Sequence, residues 1–443
     1  MKATIKDGIV YSPYPKVDIP LCSVYTAMKE FLTASPERLA LVDEQMRLTC
    51  GEFFSRLRRF AAGFQTQGVG LGDRVCVHLE NSVENVVVLF SIPFTGASVL
   101  LSNPVLNESE LLFQVGHGDA THILTSPQHA AKVHAVKRKT NVKGLFVIGE
   151  PVPGFVSVSD FTELNEDDFK EVPIGDPKQT TVAVYFSSGT TGDAKGVEVS
   201  HYNLVANLHM TKAMVNYELG DVLLTWYPIN TAGFMFTPVA ASTGATCVVV
   251  HHGLTFDQFV YYVRKYDFID MDTGEKVGPK QYGELYFRIP SVMKGYYKNP
   301  ALMKEFMDDD GWCKSGDLMY YDEDGRVYFV DRMKDMIKCL DQQVSSLELE
   351  CLLQSHPSIA DAAVVGVAKT MYGDAPAAFV VVRHPTDASP EVAAILKEHV
   401  ACKTEKFKHL YGGVVFMDRL PRNANGKVIK RELKLLYEKS KVY

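Results

Sequence analysis

Between positions 49 and 70 (TCGEFFSRLRRFAAGFQTQGVG) apolar side chains recur at Phe53, Leu57, Phe60, Ala61 and Phe64 and the run stops on glycine. This is the spacing of one helical face and predicts a helix. The stretches DRVCVHL (73–79) and ASVLLSN (97–103) are apolar at successive positions and read as buried strands. Val86 to Leu101, the most membrane-like stretch, is interrupted by Pro93 and Gly96 and too short to span a bilayer, so it reads as a buried helix followed by a strand. Asn107 opens NESELLFQVG with Glu110 three positions on, an N-cap and capping-box signature. Strand and helix patterns alternate throughout this half, which predicts an α/β architecture with largely parallel sheets.

Thr181 to Phe186 is a continuous apolar strand, VEV (197–199) a second short one, and Ser200 caps a helix whose apolar face is Leu204, Val205 and Leu208. The glycine-rich residues between are therefore expected to form a loop joining two strands. From about Lys334 the character changes. SSLELECLLQSH (345–356) predicts a short helix, with Ser345 and Glu348 placed as a capping box and a stop before Pro357. The strands DAAVVGVAK and APAAFVVVR follow, then the helix PEVAAILKEHVACK, the strand GGVVFMDRL and a basic amphipathic end from Lys427. That is a compact α+β unit of a size that folds alone.

Length and charge narrow the function classes. The 443 residues suffice for about three domains. A net charge of -7 and a pI near 6.0 argue against a nucleic-acid partner. Eight cysteines are scattered, the closest pair twelve positions apart, so no zinc or redox spacing appears and a reducing compartment is expected. The first residues contain no apolar core of a secretory signal, and no transmembrane segment is expected.

Three segments carry candidate chemistry. In FSSGTTGDAKGVEVSHYNL (186–204), Gly189, Gly192 and Gly196 let backbone N–H groups approach a ligand, while Ser187, Ser188, Thr190 and Thr191 add hydroxyls and Lys195 a compact positive charge. No Walker A pattern runs through it. Three glycines alone would suggest a solvated turn; hydroxyls after a buried strand, with a lysine beyond, favour a polyphosphate. In GWCKSGDLMYYDEDGRVYFVDRMKDMIK (311–338), the Asp317 carboxylate can accept two ribose hydroxyls, DEDG reads as a plain hairpin turn, and Arg332 follows a strand. In LPRNANGKVIKREL (420–433), Asn425 and Gly426 form a tight turn with Lys427 at its tip. Taken singly, the arginine and the lysine are ordinary surface residues.

In this order the segments resemble the adenylate-forming superfamily: acyl-CoA synthetases, 4-coumarate-CoA ligases, beetle luciferases and peptide-synthetase adenylation domains. YFSSGTTGDAKGVEVSH is similar to its phosphate-loop motif, GELYFRIPSVMKGYYKNP to a linking motif, GWCKSGD to its ribose-binding motif, VDRMKDMIK to its hinge and PRNANGK to its C-terminal lysine motif. LTCGEF and FTGASVLLSNPVLNESEL fit its early pattern. The wording is nearest the 4-coumarate-CoA-ligase-like and luciferase-like branch.

The resemblance implies a large α/β domain over 1–332 and a small mobile α+β lid over 333–443. It implies an ATP-dependent acid-CoA ligase that uses ATP, Mg2+ and coenzyme A on an aromatic or fatty carboxylic acid, a small-molecule substrate. On that basis Ser187, Ser188, Gly189, Thr190, Thr191, Gly192 and Lys195 would cradle the triphosphate. Asp317 would hold the ribose, Arg332 the ribose and the neighbouring phosphate, and Lys427 would be catalytic, with Lys334 the hinge. The chain ends Lys-Val-Tyr rather than in the peroxisomal tripeptide of many relatives, so a cytoplasmic location is expected.

This chain also departs from the pattern. Ser187 and Asp317 stand much closer in sequence than in the family, as though a segment were missing at about Phe268-Ile269, leaving the central part of the large domain incomplete. That segment carries the adenine contacts and the aromatic-Gly-x-Thr-Glu motif whose glutamate holds magnesium, so no metal ligand is assigned here. Thr231 stands where a histidine or aromatic is usual, Asp341 where a glycine borders the pantetheine tunnel, and Ser346 where a proline is usual. A truncated isoform or pseudoenzyme that binds a nucleotide or a partner without turnover is therefore an alternative, and a luciferase-like oxidation a third.

Overall fold

The computed structural model describes the chain apart from residues 1–3, 7–8, 12–15, 188–194, 215–220, 226, 231, 251–282, 322–326, 333–334, 341, 423–425, 427 and 441. In chain order the strands of the first half are β1 (Thr4–Lys6), β2 (Ile9–Tyr11), β3 (Leu39–Val42), β4 (Arg47–Thr49), β5 (Arg74–His78), β6 (Ser98–Leu101), β7 (His122–Thr125), β8 (Gly144–Val147), β9 (Val156–Ser157), β10 (Thr181–Ser187), β11 (Lys195–Ser200), β12 (Val222–Thr225) and β13 (Thr246–Val249). The helices among them are α1 (Val24–Thr33), α2 (Cys50–Thr66), α3 (Val83–Ser91), α4 (Glu108–His117), α5 (Ala130–Lys137), α6 (His201–Met214) and α7 (Ala232–Thr243). Then come β14 (Gly283–Phe287), β15 (Gly295–Tyr296), α8 (Pro300–Phe306), β16 (Cys313–Tyr321), β17 (Val327–Arg332), β18 (Ile337–Cys339), β19 (Gln342–Val344), α9 (Ser346–Gln354), β20 (Ile359–Lys369), β21 (Gly373–Val382), α10 (Pro390–Ala401), β22 (Gly413–Phe416) and α11 (Lys430–Tyr437).

Contacts divide the chain into two compact units: 14–274 with 288–305, and 275–287 with 306–443 and the first residues. In the larger unit an eight-stranded sheet runs β15-β11-β10-β6-β5-β7-β8-β9. Its pairings from β10 through β9 are parallel, while β11 and β15 join antiparallel. Successive residues of one strand serve two cores. Val75 and Val77 pack with Phe53, Leu57, Phe60 and Phe90 from α2 and α3, whereas Cys76 packs with Leu111, Val115, Val133 and Val136 from α4 and α5. A strand covered on both faces has no solvent side, hence the unbroken apolar runs in its sequence. A second sheet runs β12-β13-β3-β4.

Caps fix the helix starts as local chemistry dictates. Asn107 Oδ1 accepts from the Glu110 amide, and the Glu110 carboxylate accepts from the Asn107 amide, so the expected capping box forms in full. Thr49 and Glu52 form another at α2. Ser345 gives only half of the expected box: its Oγ accepts from the Glu348 amide, but the Glu348 carboxylate pairs with Lys408 Nζ at 2.8 Å. A full ammonium charge competes with a neutral backbone donor for that carboxylate and prevails.

In the smaller unit one sheet runs β14-β16-β17; another runs β19-β18-β21-β20, with β22 parallel to β21. β20 and β21 again feed two cores: Val364 and Val380 pack toward Leu349, Leu353 and Leu396 of α9 and α10, while Val365 and Phe379 pack toward Leu433 of α11. All eight cysteines are free thiols. No described helix is long and apolar enough to cross a membrane.

Candidate active site

In the larger unit β10 and β11 pair antiparallel as far as Ser187 and Lys195, the two residues that flank the glycine-rich segment in the sequence. Ser188, Gly189, Thr190, Thr191 and Gly192 lie outside the described residues, as do Thr231, Lys334, Asp341 and Lys427. The far edge of this pair is braced by β15, in register Val197 to Tyr296 and Glu198 to Gly295. The Tyr297 amide donates to Gly196 O at 2.7 Å and the Lys294 amide to Glu198 O at 2.9 Å. A Cβ on Gly196 would stand 3.0 Å from that of Tyr297, so this glycine admits the bracing strand. Lys195 Nζ lies 5.8 Å from the centre of the Tyr296 ring.

Beyond β15 the chain is clasped to the same unit. Tyr297 donates its hydroxyl to Asp119 Oδ2 at 2.6 Å, Lys298 pairs with the same carboxylate, and the Arg74 guanidinium sits 4.5 Å above the Tyr297 ring. Burial pushes the Asp119 carboxyl up, but the Lys298 and Tyr297 bonds outweigh it and hold it below the usual carboxylate range. Asp119 and Lys298 both adopt left-handed backbone (φ 51° and 56°), a strain that the clasp offsets. Sequence reasoning took GYYKNP as a motif but gave no signal of Asp119, which lies far from it in the chain.

His201, immediately after β11, is buried and its Nδ1 accepts from the Val24 amide at 3.2 Å. Burial pushes its pKa down to about 4, so the ring is neutral at pH 7.

In the smaller unit Asp317 of β16 stands directly across from Arg332 of β17. The Arg332 Nε to Asp317 Oδ1 distance is 2.8 Å, an ion pair, and among the described residues Oδ1 accepts no hydrogen bond. The Asp317 side chain is 17% exposed and that of Arg332 44%, so the pair borders solvent. Gly316, at φ 70°, lies within β16 where its register against β14 shifts, and its amide donates to Glu284 Oε1 at 3.1 Å. The two residues picked from separate motifs thus form one carboxylate and guanidinium pair, able to bind a diol and an anion side by side. Gly426 has φ 76°, as a glycine at a tight turn takes, and Arg422 holds it through Gly426 O at 2.6 Å.

The Asp331 carboxylate, next to Arg332, is buried; Oδ2 accepts from Ser345 Oγ at 2.8 Å, Ser346 Oγ at 3.1 Å and the Leu347 amide at 3.2 Å. Ser346 was visible in the sequence only as an unexpected residue.

Residues 28–268 match the family profile described as AMP-binding enzyme, and 348–427 match the AMP-binding enzyme C-terminal domain. The chain belongs to the AMP-binding enzyme family. Among curated proteins it is 28% identical to a probable 4-coumarate–CoA ligase 2 of Dictyostelium discoideum, covering 97% of this chain and 98% of that protein. It is 26% identical to the luciferin 4-monooxygenase of Photinus pyralis, with 94% of each covered. The first of these alignments runs over 553 positions although this chain has 443, so part of that ligase has no counterpart here. Among solved structures, ATP-bound MatB from Rhodopseudomonas palustris superposes with a TM-score of 0.79 at 21% identity, over 95% of this chain and 99% of that one. The chain thus has the mixed α/β fold of adenylate-forming enzymes, with a large and a smaller domain.

Proposed function

We propose that this protein is an ATP-dependent acid-CoA ligase. A substrate carboxylate attacks the α-phosphorus of ATP and pyrophosphate leaves; the coenzyme A thiolate then attacks the acyl carbon of the adenylate and AMP leaves. The first step gathers negative charge that fixed cations stabilise. Thr190, Thr191 and Lys195 hold the triphosphate. Asp317 takes the ribose hydroxyls, Arg332 the ribose and adjacent phosphate, and Lys427 reaches the carboxylate and α-phosphate from a lid, residues 333–443, that swings about Lys334. Moving a catalytic lysine between steps lets one pocket serve two reactions. The observation that supports this reading most is the Asp317 and Arg332 pair, in a chain that matches both family profiles in order.

Mg2+ would neutralise the phosphates, but no protein ligand is assigned: among the described residues no group of three or more His, Cys, Asp or Glu is arranged to hold a metal. Acid-dependent pyrophosphate release across a panel of aromatic and fatty acids, with acyl-CoA detected by mass spectrometry, tests the proposal, and Lys427→Ala should abolish both. Pyrophosphate without thioester would limit the enzyme to the first half-reaction, the outcome that Asp341 would produce by crowding the thiol arm.

A second reading rests on the surplus of the 553-position alignment and on the N-terminal family match ending at 268. If the missing residues fall there, the chain binds a nucleotide without turning it over. ATP binding by calorimetry in the absence of any product would favour it.

A further inference from the structure

We propose that Ser346 is a positioning residue, the joint through which the strand bearing Arg332 and the helix that follows Lys427 hold one another in place. The idea rests on the proposed function only for the roles of Arg332 and Lys427; the joint itself is structural.

Ser346 is wholly buried. Its hydroxyl donates to Asp331 Oδ2 at 3.1 Å and accepts from Lys430 Nζ at 2.6 Å. One proton and two lone pairs suffice for both, so a polarised line runs from ammonium through hydroxyl to carboxylate. Each end is anchored separately. Asp331 Oδ1 accepts from the Arg332 amide at 2.7 Å, fixing the backbone of the residue that faces Asp317. Lys430 opens α11, three residues after Lys427, and also pairs with Glu350 Oε1 at 2.9 Å, which in turn accepts from the Val364 amide. Burial raises the Glu350 carboxyl, Lys430 pulls it part of the way back, and the Asp331 charge adds to the rise. Removing the Ser346 hydroxyl cuts the line between the two anchored ends, while Asp331 keeps Ser345 and the Leu347 amide and Lys430 keeps Glu350. Asp331 precedes Lys334 and Ser346 follows it, so the joint spans the proposed hinge, and any swing about that point must break the contact between Ser346 and Asp331.

The test uses hydrogen exchange on the full-length chain. Ser346→Pro removes the hydroxyl at a position built to accept proline: it is the first residue of α9, and Ser345 before it has the extended backbone (φ -71°, ψ 122°) that a residue before proline prefers. The expected result is about tenfold faster exchange across α11 and at the Arg332 and Leu347 amides, the size of one lost charge-assisted bond. Lys430→Met should loosen the Arg332 and Leu347 amides, and Asp331→Asn should loosen α11. The proposal is overturned if Lys430→Met changes α11 alone, or if Ser346→Pro leaves both sites at wild-type rates. In ATP–pyrophosphate exchange the same proline variant should lower kcat with the KM for ATP held within about twofold, since what is lost is placement and not nucleotide contact. A wild-type chain without that activity would sink the functional reading, and the hydrogen-exchange result would still decide the joint.

Discussion

Protonating His201 should unfasten the start of α1 from the start of α6. The folded ring has a pKa of about 4 because it is buried, whereas an unfolded histidine titrates near 6.5. His78, also buried, is lowered further, to about 3. Between these values and 6.5 the unfolded chain binds more protons than the folded one, so stability falls as pH falls. From pH 7.5 to pH 5 each histidine removes about 2 kcal/mol, and the two together about 4 kcal/mol. Asp73, Glu80 and Asp119, whose folded values are lowered, contribute the same sign only once pH drops toward the carboxylate range. His122, His209 and His356 are lowered too and add to the loss above pH 5, while Glu84 and Glu350, raised by burial, oppose it as pH approaches the carboxylate range. An imidazolium cannot accept from the Val24 amide, so that amide reports His201 directly. Chemical denaturation at pH 5.0, 6.0 and 7.5 at fixed ionic strength, with exchange of the Val24 amide followed in parallel, measures both quantities. His201→Asn, whose Oδ1 stands near the place of Nδ1, should keep the Val24 bond and remove the His201 share of the pH dependence, about 2 kcal/mol between pH 7.5 and pH 5. Equal stability at pH 5.0 and 7.5, or an unchanged slope in the asparagine variant, would refute the reasoning.

Other variants probe the packing and the brace. Gly63→Ala places a Cβ 2.2 Å from the Phe161 ring, and the overpacking should cost about 2 kcal/mol or more in denaturation, with Phe161→Leu restoring part of it. Tyr297→Phe deletes the bond to Asp119 while Lys298 remains; a loss of about 1 kcal/mol is expected, seen as faster exchange of the Tyr297 and Lys294 amides with α2 unchanged. Asp317→Asn keeps the shape of the side chain but removes its charge, and should weaken AMP binding about tenfold or more while leaving the melting temperature nearly unaltered. Equal AMP affinity in that variant would remove Asp317 from the nucleotide site.

What the sequence determined by itself is what neighbouring residues can settle among themselves. The helical period at Phe53, Leu57, Phe60 and Phe64, the box between Asn107 and Glu110, and the strands on either side of the glycine loop each depend on groups within a few positions, and each formed as read. Glu348 shows the limit: the local rule offered it the backbone of Ser345, and Lys408, sixty positions away, took it. The same limit governs the candidate site. Motif order suggested Asp317 and Arg332 separately, but only the antiparallel register of β16 and β17 set one against the other. Nothing near Ser346 in the chain announces Lys430, and nothing near Tyr297 announces Asp119, because a charge or hydroxyl bonds to whichever partner the fold brings within reach. Local periodicity chose the elements; the pairing of charges and hydroxyls across the tertiary structure chose the site's geometry.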